Sequence, residues 1–120
     1  MRRPAGTGAG EAPVPYGLIG ADFCPRIRPT ALSVEIDGEV VIYDEERAAV
    51  HKLNPSASVI FSSLDGSTTV GQLSAELAEA FGLERDRMGH DVLVAVREFG
   101  AKNLLAGVEA EPDRREHTLS

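Results

Sequence analysis

The sequence predicts an α+β domain in which a three-stranded antiparallel sheet is followed by three helices. Apolar and polar residues alternate on both sides of Asp37-Gly38, which is typical of two paired strands. After Asn54 the apolar residues recur three and four positions apart, which indicates amphipathic helices. The length of 120 residues fits one domain with a modest core.

The first two strands are predicted to form a hairpin. An Asp-Gly pair between alternating runs favours a type I′ turn, because that turn needs positive φ at both central residues. The two-residue loop fixes the register, and the expected pairs are Ile36–Glu39, Val34–Val41 and Leu32–Tyr43. Since these side chains share one face, we expect that face to pack on the core and Ser33 and Glu35 to lie outside.

Residues 49–53 are predicted to return as the third strand after the polar turn at 44–47. Ala49, His51 and Leu53 would lie on one face, and Val50 and Lys52 on the other. The hairpin would pair with only one edge of this strand. The open edge suggests a protein that receives another chain.

Capping residues mark the first two helices. Asn54 and Pro55 favour the start of the first helix, and Asp65-Gly66 its end. Thr69 with Gln72 forms a capping box for the second helix, which we expect to stop at Gly82. The expected core-facing residues are Ala57, Ile60, Phe61 and Leu64 in the first helix and Val70, Leu73, Leu77, Ala80 and Phe81 in the second.

The third helix is predicted to begin at Glu84 or Asp86 and to end near Asn103. Its expected core residues are Met88, Val92, Val96 and Phe99. Gly89 in its interior costs roughly 1 kcal/mol relative to Ala, and the sequence offers no reason for it.

Both ends of the chain lack the periodicity of structured elements. Residues 1–24 are rich in Gly, Ala and Pro, and we expect a flexible tail there. Residues 109–120 are polar and charged, and we expect a disordered tail. The folded domain is therefore predicted to span residues 25–108.

Composition excludes several function classes. The net charge of −7 disfavours binding to nucleic acid or to an anionic membrane. Cys24 is the only cysteine, and His51, His90 and His117 do not have the spacing of metal ligands. No Ser or Gly-rich stretch has the context of a nucleophile or a phosphate loop. We therefore expect no catalytic residues, no cofactor, no metal and no membrane span, and a cytoplasmic location.

The order of elements resembles the PqqD family. The resemblance rests on D-G-E-V-V-I-Y-D, L-N-P at the first helix, S-L-D-G after it, T-V-G-Q-L-S-A-E-L-A-E-A-F-G and the closing L-L, and it spans roughly 25–108. Members of this family are RiPP recognition elements, small winged-helix-like domains that hold the leader segment of a ribosomally synthesised precursor peptide. Two departures are Ala48 and Asn103, where similar sequences often carry Gly; Asn tolerates the left-handed conformation.

The resemblance implies a peptide-binding protein that performs no chemistry itself. The leader would pair as an extra strand on the third strand and lie between that strand and the third helix. A separate modifying enzyme would act on the precursor, for example a radical S-adenosylmethionine enzyme or a lasso-peptide protease. The implied peptide-binding residues are Ala49, Val50, His51, Lys52 and Leu53 in the strand and, from helical periodicity, Arg87, Asp91, Val94, Arg97 and Glu98 in the helix.

A winged-helix DNA-binding regulator is the alternative, since three helices with a β wing also serve transcription factors. Charge argues against it. The third helix region carries four basic residues, Arg85, Arg87, Arg97 and Lys102, and four acidic ones, Glu84, Asp86, Asp91 and Glu98. DNA-binding helices normally carry a basic excess that neutralises phosphates.

Overall fold

Three helices cover one face of a three-stranded antiparallel sheet. A computed structural model of the protein describes residues 12–112. Its strands are β1 (Val14–Pro15), β2 (Ala31–Ile36), β3 (Glu39–Asp44), β4 (Ala49–Lys52) and β5 (Val108–Glu109), and its helices are α1 (Pro55–Ser62), α2 (Val70–Phe81), α3 (Arg85–Ala101) and a 3-10 helix at Tyr16–Leu18. The sheet has the order β2-β3-β4, and β1 and β5 form a separate parallel pair. The predicted fold class is confirmed.

The hairpin has the predicted register but the opposite orientation. Ile36 pairs with Glu39, Val34 with Val41 and Leu32 with Tyr43. The expectation that this face is the core side is wrong, because Val34 is 54% exposed whereas Ile42, on the other face, is fully buried. Pairing decides which residues share a face, and the connection to α1 decides which face is covered. That connection passes through Leu53, which is buried on the same side as Ile42.

The predicted helix caps are present. Asn54 Oδ1 accepts a hydrogen bond from the Ala57 N–H at 2.8 Å, and Thr69 and Gln72 exchange both bonds of a capping box. Gly82 ends α2 with a φ of 65°. The prediction that Ala80 and Phe81 face the core is wrong: both are exposed, because they lie in the last turn of α2, beyond the packed part of the helix.

Helix α3 forms the centre of the core. Its predicted core residues Val92, Val96 and Phe99 have at most 1% of their surface exposed. The ring of Phe99 makes an edge-to-face contact with Phe61, with 5.4 Å between the centroids. Such a pair adds about 0.5–1.5 kcal/mol beyond the buried area.

The described part of the predicted N-terminal tail is packed against α3. Val14 pairs with Val108, and Ile19 has only 1% of its surface exposed. A Cβ at Gly100 would come within 2.9 Å of Val108 Cγ1 and 3.1 Å of Tyr16 Cβ, so only glycine permits this approach. The expectation of a flexible segment therefore fails for residues 12–24, and residues 1–11 lie outside the described range.

The C-terminal segment also extends the folded unit. The Glu111 N–H donates to the Ala101 carbonyl at 3.0 Å, and the Tyr16 hydroxyl donates to Glu111 Oε2 at 3.0 Å. Residues 109–112 thus differ from the expected disordered tail, while residues 113–120 lie outside the described range. Among the described residues, no helix is long and apolar enough to span a membrane.

Candidate functional site

Strand β4 is an edge of the sheet, and its unpaired backbone groups can be assigned. Within residues 12–112 it pairs with β3 on one side only. The Leu53 N–H donates to the Val40 carbonyl at 2.9 Å, towards β3. Since alternate residues of an antiparallel strand point their N–H groups to opposite sides, His51 also donates towards β3, and the N–H groups of Val50 and Lys52 point away from the sheet. These two donors are free for a guest strand.

One face of α3 is exposed beside the residues that connect this edge to α1. Asp91, Val94 and Glu98 follow one another at helical spacing and are exposed. They line a depression together with the start of α1; its other residues are Asn54, Ser56, Ala57, Ile60, His90 and Ala95. We call the space that runs along α3 from the start of α1 to β4 the groove.

A second depression lies at the other end of the groove. Ala49 and His51 of β4 face Ala101 and Lys102 at the end of α3 across a space of about 170 Å³, which is also lined by Arg47, Glu111 and Pro112. The described C-terminal residues therefore border the groove where β4 begins.

An apolar cleft continues the groove past the start of α1. Its volume is about 510 Å³, and it shares Ser56, Ile60 and Asp91 with the depression beside α3. The rest of its lining is Pro55, Val59, Leu77, Phe81, Leu83 and Met88. Phe81 and Leu83 are 57% and 53% exposed at its mouth, so the cleft offers open apolar surface to a ligand.

The structure does not bring every sequence-predicted residue into the groove. Arg97 Nε donates to the Ile19 carbonyl at 2.9 Å, which holds this side chain on the opposite flank of α3. The Leu53 side chain is buried in the core. Arg87 lies near the start of α3, beside Gly82 and Leu83. The predicted residues that line the depressions of the groove are Ala49 and His51 in β4 and Asp91, Val94 and Glu98 in α3. The side chains of Val50 and Lys52 lie on the other face of the sheet, so these two residues border the groove through their backbone only.

His51 is held neutral by its surroundings. Burial is the main cause that lowers its pKa below the usual 6.5. The positive charges of Lys102 and Arg47 lower the pKa further, and the Asp44 carboxylate opposes them. An uncharged imidazole beside the groove allows a peptide backbone to approach without burying a positive charge.

A buried polar network joins the turn before β4 to the end of α3. Asp44 Oδ1 accepts from the backbone N–H groups of Glu46 and Arg47 in the turn before β4. Asn103, just after α3, donates through Nδ2 to Asp44 Oδ2 at 3.1 Å and to Glu46 Oε1 at 2.6 Å. Asn103 has a φ of 69°, a left-handed conformation that asparagine adopts more readily than most residues.

Sequence reasoning missed the part of the groove that α1 provides. Asn54, Ser56 and Ala57 line it because only two residues separate the end of the edge strand from the start of α1. The L-N-P sequence could have predicted this part of the groove. A helix that starts soon after an edge strand places its first turn near that edge. Among the described residues, no group of three His, Cys, Asp or Glu side chains is placed to hold a metal ion.

Comparisons with solved structures find the same fold. The structure of TbiB1 in complex with the TbiA(beta) leader peptide has 23% identity and a TM-score of 0.62, and the match covers 68% of this chain and 95% of that one. A lasso peptide synthetase B1 complexed with the leader peptide has 20% identity and a TM-score of 0.59, with 69% and 96% covered.

A third solved structure is the PqqD truncation of Methylobacterium extorquens PqqCD, described as a functional and stand-alone RiPP recognition element. It has 17% identity and a TM-score of 0.64, and the match covers 75% of this chain and 96% of that one. At these identities the three structures establish the fold. A search of curated proteins finds no match.

The family assignment comes from the sequence itself. The family model described as coenzyme PQQ synthesis protein D (PqqD) matches residues 39–105, from β3 through α3 to the buried Leu104-Leu105 pair. The match covers more than half of the chain and includes both walls of the groove. This chain belongs to the PqqD family.

Proposed function

We propose that this protein binds the leader segment of a ribosomally synthesised precursor peptide by strand addition at β4. The observation that carries the proposal is the free edge of β4, whose Val50 and Lys52 N–H groups face away from the sheet, opposite an exposed face of α3. Backbone hydrogen bonds to the edge supply affinity that tolerates many sequences, and the groove and apolar cleft supply side-chain specificity. Two solved relatives of the same fold are complexes with leader peptides.

The peptide-binding residues that we propose are Ala49, Val50, His51 and Lys52 in β4 and Asp91, Val94 and Glu98 in α3. The apolar cleft favours a leader with a large apolar side chain beyond its paired segment, because Phe81 and Leu83 leave that surface exposed. Nothing in the groove favours DNA: α3 carries Arg85, Arg87 and Arg97 against Asp86, Asp91 and Glu98.

The protein would act without chemistry of its own, together with a separate modifying enzyme. Holding the leader raises the effective concentration of the precursor near that enzyme. A radical S-adenosylmethionine enzyme and a lasso-peptide protease are both compatible with this role. We expect the purified protein alone to leave the precursor unchanged and to raise the turnover of the enzyme; mass spectrometry of the precursor after incubation with each component checks both.

Proline substitutions test strand addition directly. Val50→Pro removes a donor that points towards the guest, so we expect about tenfold weaker leader binding with a largely retained melting temperature. His51→Pro removes a donor to β3 and should damage the fold. The measurements are titration with the cognate leader peptide and thermal melts of each variant.

The matched control lies on the opposite edge of the sheet. The Glu45 N–H donates to the Thr30 carbonyl, so the N–H of Ser33 in β2 points away from β3 by the same alternation. Ser33→Pro should therefore affect stability as Val50→Pro does and leave leader binding intact. Wild-type binding by a folded Val50→Pro variant would exclude β4 as the receiving edge.

A further inference from the structure

The sheet has a second apolar surface that the groove does not use. We define the outer sheet face as Leu32, Val34, Ile36, Val41, Tyr43 and Val50. Val50 is 67% exposed, Val34 and Ile36 are each 54% exposed, and Leu32 is 50% exposed. The register places Val34 beside Val41 and Tyr43 beside Leu32 and Val50, so the six side chains form one continuous surface across three strands.

No described segment of the chain covers this face. The helices pack on the opposite side of the sheet, where Val40 and Ile42 belong to the buried core. From the exposed fractions, the face presents on the order of 500 Å² of apolar surface, within the about 300–600 Å² of the largest patch on a typical monomer, which is often functional. A surface of this size and composition is typical of a docking site.

The charges around the face are mostly acidic. Asp37 and Glu39 lie at the hairpin end, and Glu45 lies beyond the other end of β3. Lys52 is the only base whose side chain lies on this side of the three strands, and it already pairs with Glu39 at 3.4 Å. The complementary partner is an apolar surface with a basic rim.

A second copy of this chain fits the face poorly. Two copies packed face to face would bring acidic residues near acidic residues at both ends. They would bury on the order of 1,000 Å² in total, below the roughly 1,200–2,000 Å² of stable specific interfaces. An interface of this size suits a transient encounter, as expected between a carrier of a bound peptide and an enzyme that must also release it.

The outer sheet face is continuous with the proposed leader strand. Val50 belongs to β4, and its side chain lies on this face. A leader that pairs with β4 would add alternate side chains to the same face, because the side chains of a strand alternate between the two sides of a sheet. A partner docked there would contact this protein and the bound leader together.

We propose that the outer sheet face docks the modifying enzyme, through an apolar enzyme surface bordered by Lys and Arg. This inference rests on the proposed function, since it requires an enzyme that acts on the bound precursor. The face carries the enzyme contact and the groove carries the leader, so the two can be disrupted separately.

The test uses the double variant Leu32→Thr, Val34→Thr. Both residues lie on β2, the strand farthest from the leader edge, and threonine retains β-branching and strand propensity. The probes are the modifying enzyme and the leader peptide of its precursor. We expect the Kd for the enzyme to rise about tenfold or more, because the variant removes apolar anchors from the centre of the interface. The Kd for the leader should stay within about twofold of wild type, because β4 is unchanged.

The matched control is Leu18→Thr, since Leu18 is 72% exposed but lies in the N-terminal 3-10 helix, away from the sheet. It should leave both dissociation constants unchanged. Unchanged enzyme binding by the folded double variant would overturn the inference. So would sedimentation showing that wild type dimerises and the double variant does not, because the occupant would then be a second copy. Failure of the wild-type protein to bind any leader would instead overturn the proposed function, and this inference with it.

Discussion

His51 is the residue of β4 whose charge state responds to pH near neutrality. Its lowered pKa means that the unfolded chain binds a proton below about pH 6.5 while the folded protein still resists protonation. Between pH 6.5 and the lowered pKa, the unfolded state therefore binds more protons than the folded state. The contribution of His51 to stability is lost as the pH falls through this range.

We predict that His51→Gln flattens this dependence. The free energy of unfolding of the wild-type protein should decrease more between pH 7 and pH 5.5 than that of the variant, as measured by urea denaturation at each pH. Leader affinity should follow the same trend, because a peptide that covers His51 buries it further. Identical pH profiles of the two proteins would contradict the assignment.

Asn103 links the end of β3 and the turn before β4 to the end of α3 through a single side chain. Asn103→Gly keeps the left-handed backbone permitted and removes the amide that donates to the buried Asp44 carboxylate. We expect a loss of about 1–3 kcal/mol of stability, the usual cost of an unsatisfied buried polar group, together with weaker leader binding as β4 loses its position relative to α3.

Glu46→Gln is the matched control for Asn103, because it keeps an acceptor for the same amide on an exposed side chain. Denaturant unfolding and leader titration of both variants separate the buried contact from the exposed one. If the two variants are equally stable, the network does not hold the strand in place.

Helix α3 contains two glycines whose surroundings differ. A Cβ at Gly100 would lie 2.9 Å from Val108 Cγ1, whereas one at Gly89 would meet nothing within 4 Å. Gly100 thus permits the close contact of α3 with the terminal segments. No contact accounts for Gly89, which the sequence also leaves unexplained.

We predict opposite effects of alanine at these positions. Gly100→Ala should destabilise the protein by about 1–3 kcal/mol through overpacking, and Gly89→Ala should stabilise it by up to about 1 kcal/mol through helix propensity. Thermal melts of the two variants provide the comparison. A stabilising Gly100→Ala would show that the terminal segments do not pack closely on α3.

At the scale of the whole molecule, the terminal segments belong to the folded unit. Ile19 is buried in the core, and the Val14 N–H donates to the Gly107 carbonyl at 3.0 Å. The folded unit therefore includes residues before position 25 and after position 108.

Shortened chains test this boundary. A chain that begins at residue 25 should be about 2–5 kcal/mol less stable than one that begins at residue 12, because it leaves the Ile19 site empty. Urea unfolding of each chain gives the measurement. Equal stability of the two shortened chains would support the boundary at residue 25 that the sequence predicts.

The sequence by itself determined the local structure of this protein. Asp37-Gly38 specified the hairpin and its register, and Asn54-Pro55, Thr69 with Gln72, and Gly82 specified helix ends, because each acts through its own backbone and near neighbours. The resemblance to the PqqD family pointed to the edge strand β4, and helical periodicity grouped Asp91, Val94 and Glu98 on one face of α3.

Only the tertiary structure decided which surfaces are covered. The hairpin has two faces, and the more apolar one, with Val34 and Tyr43, is exposed because β4 leads into α1 from the other side. Arg97 lies on the opposite flank of α3 because the N-terminal segment supplies the Ile19 carbonyl as its acceptor. That segment packs only where Gly100 permits it. Such contacts join residues about 80 positions apart, and the periodicity of a single element carries no information about them.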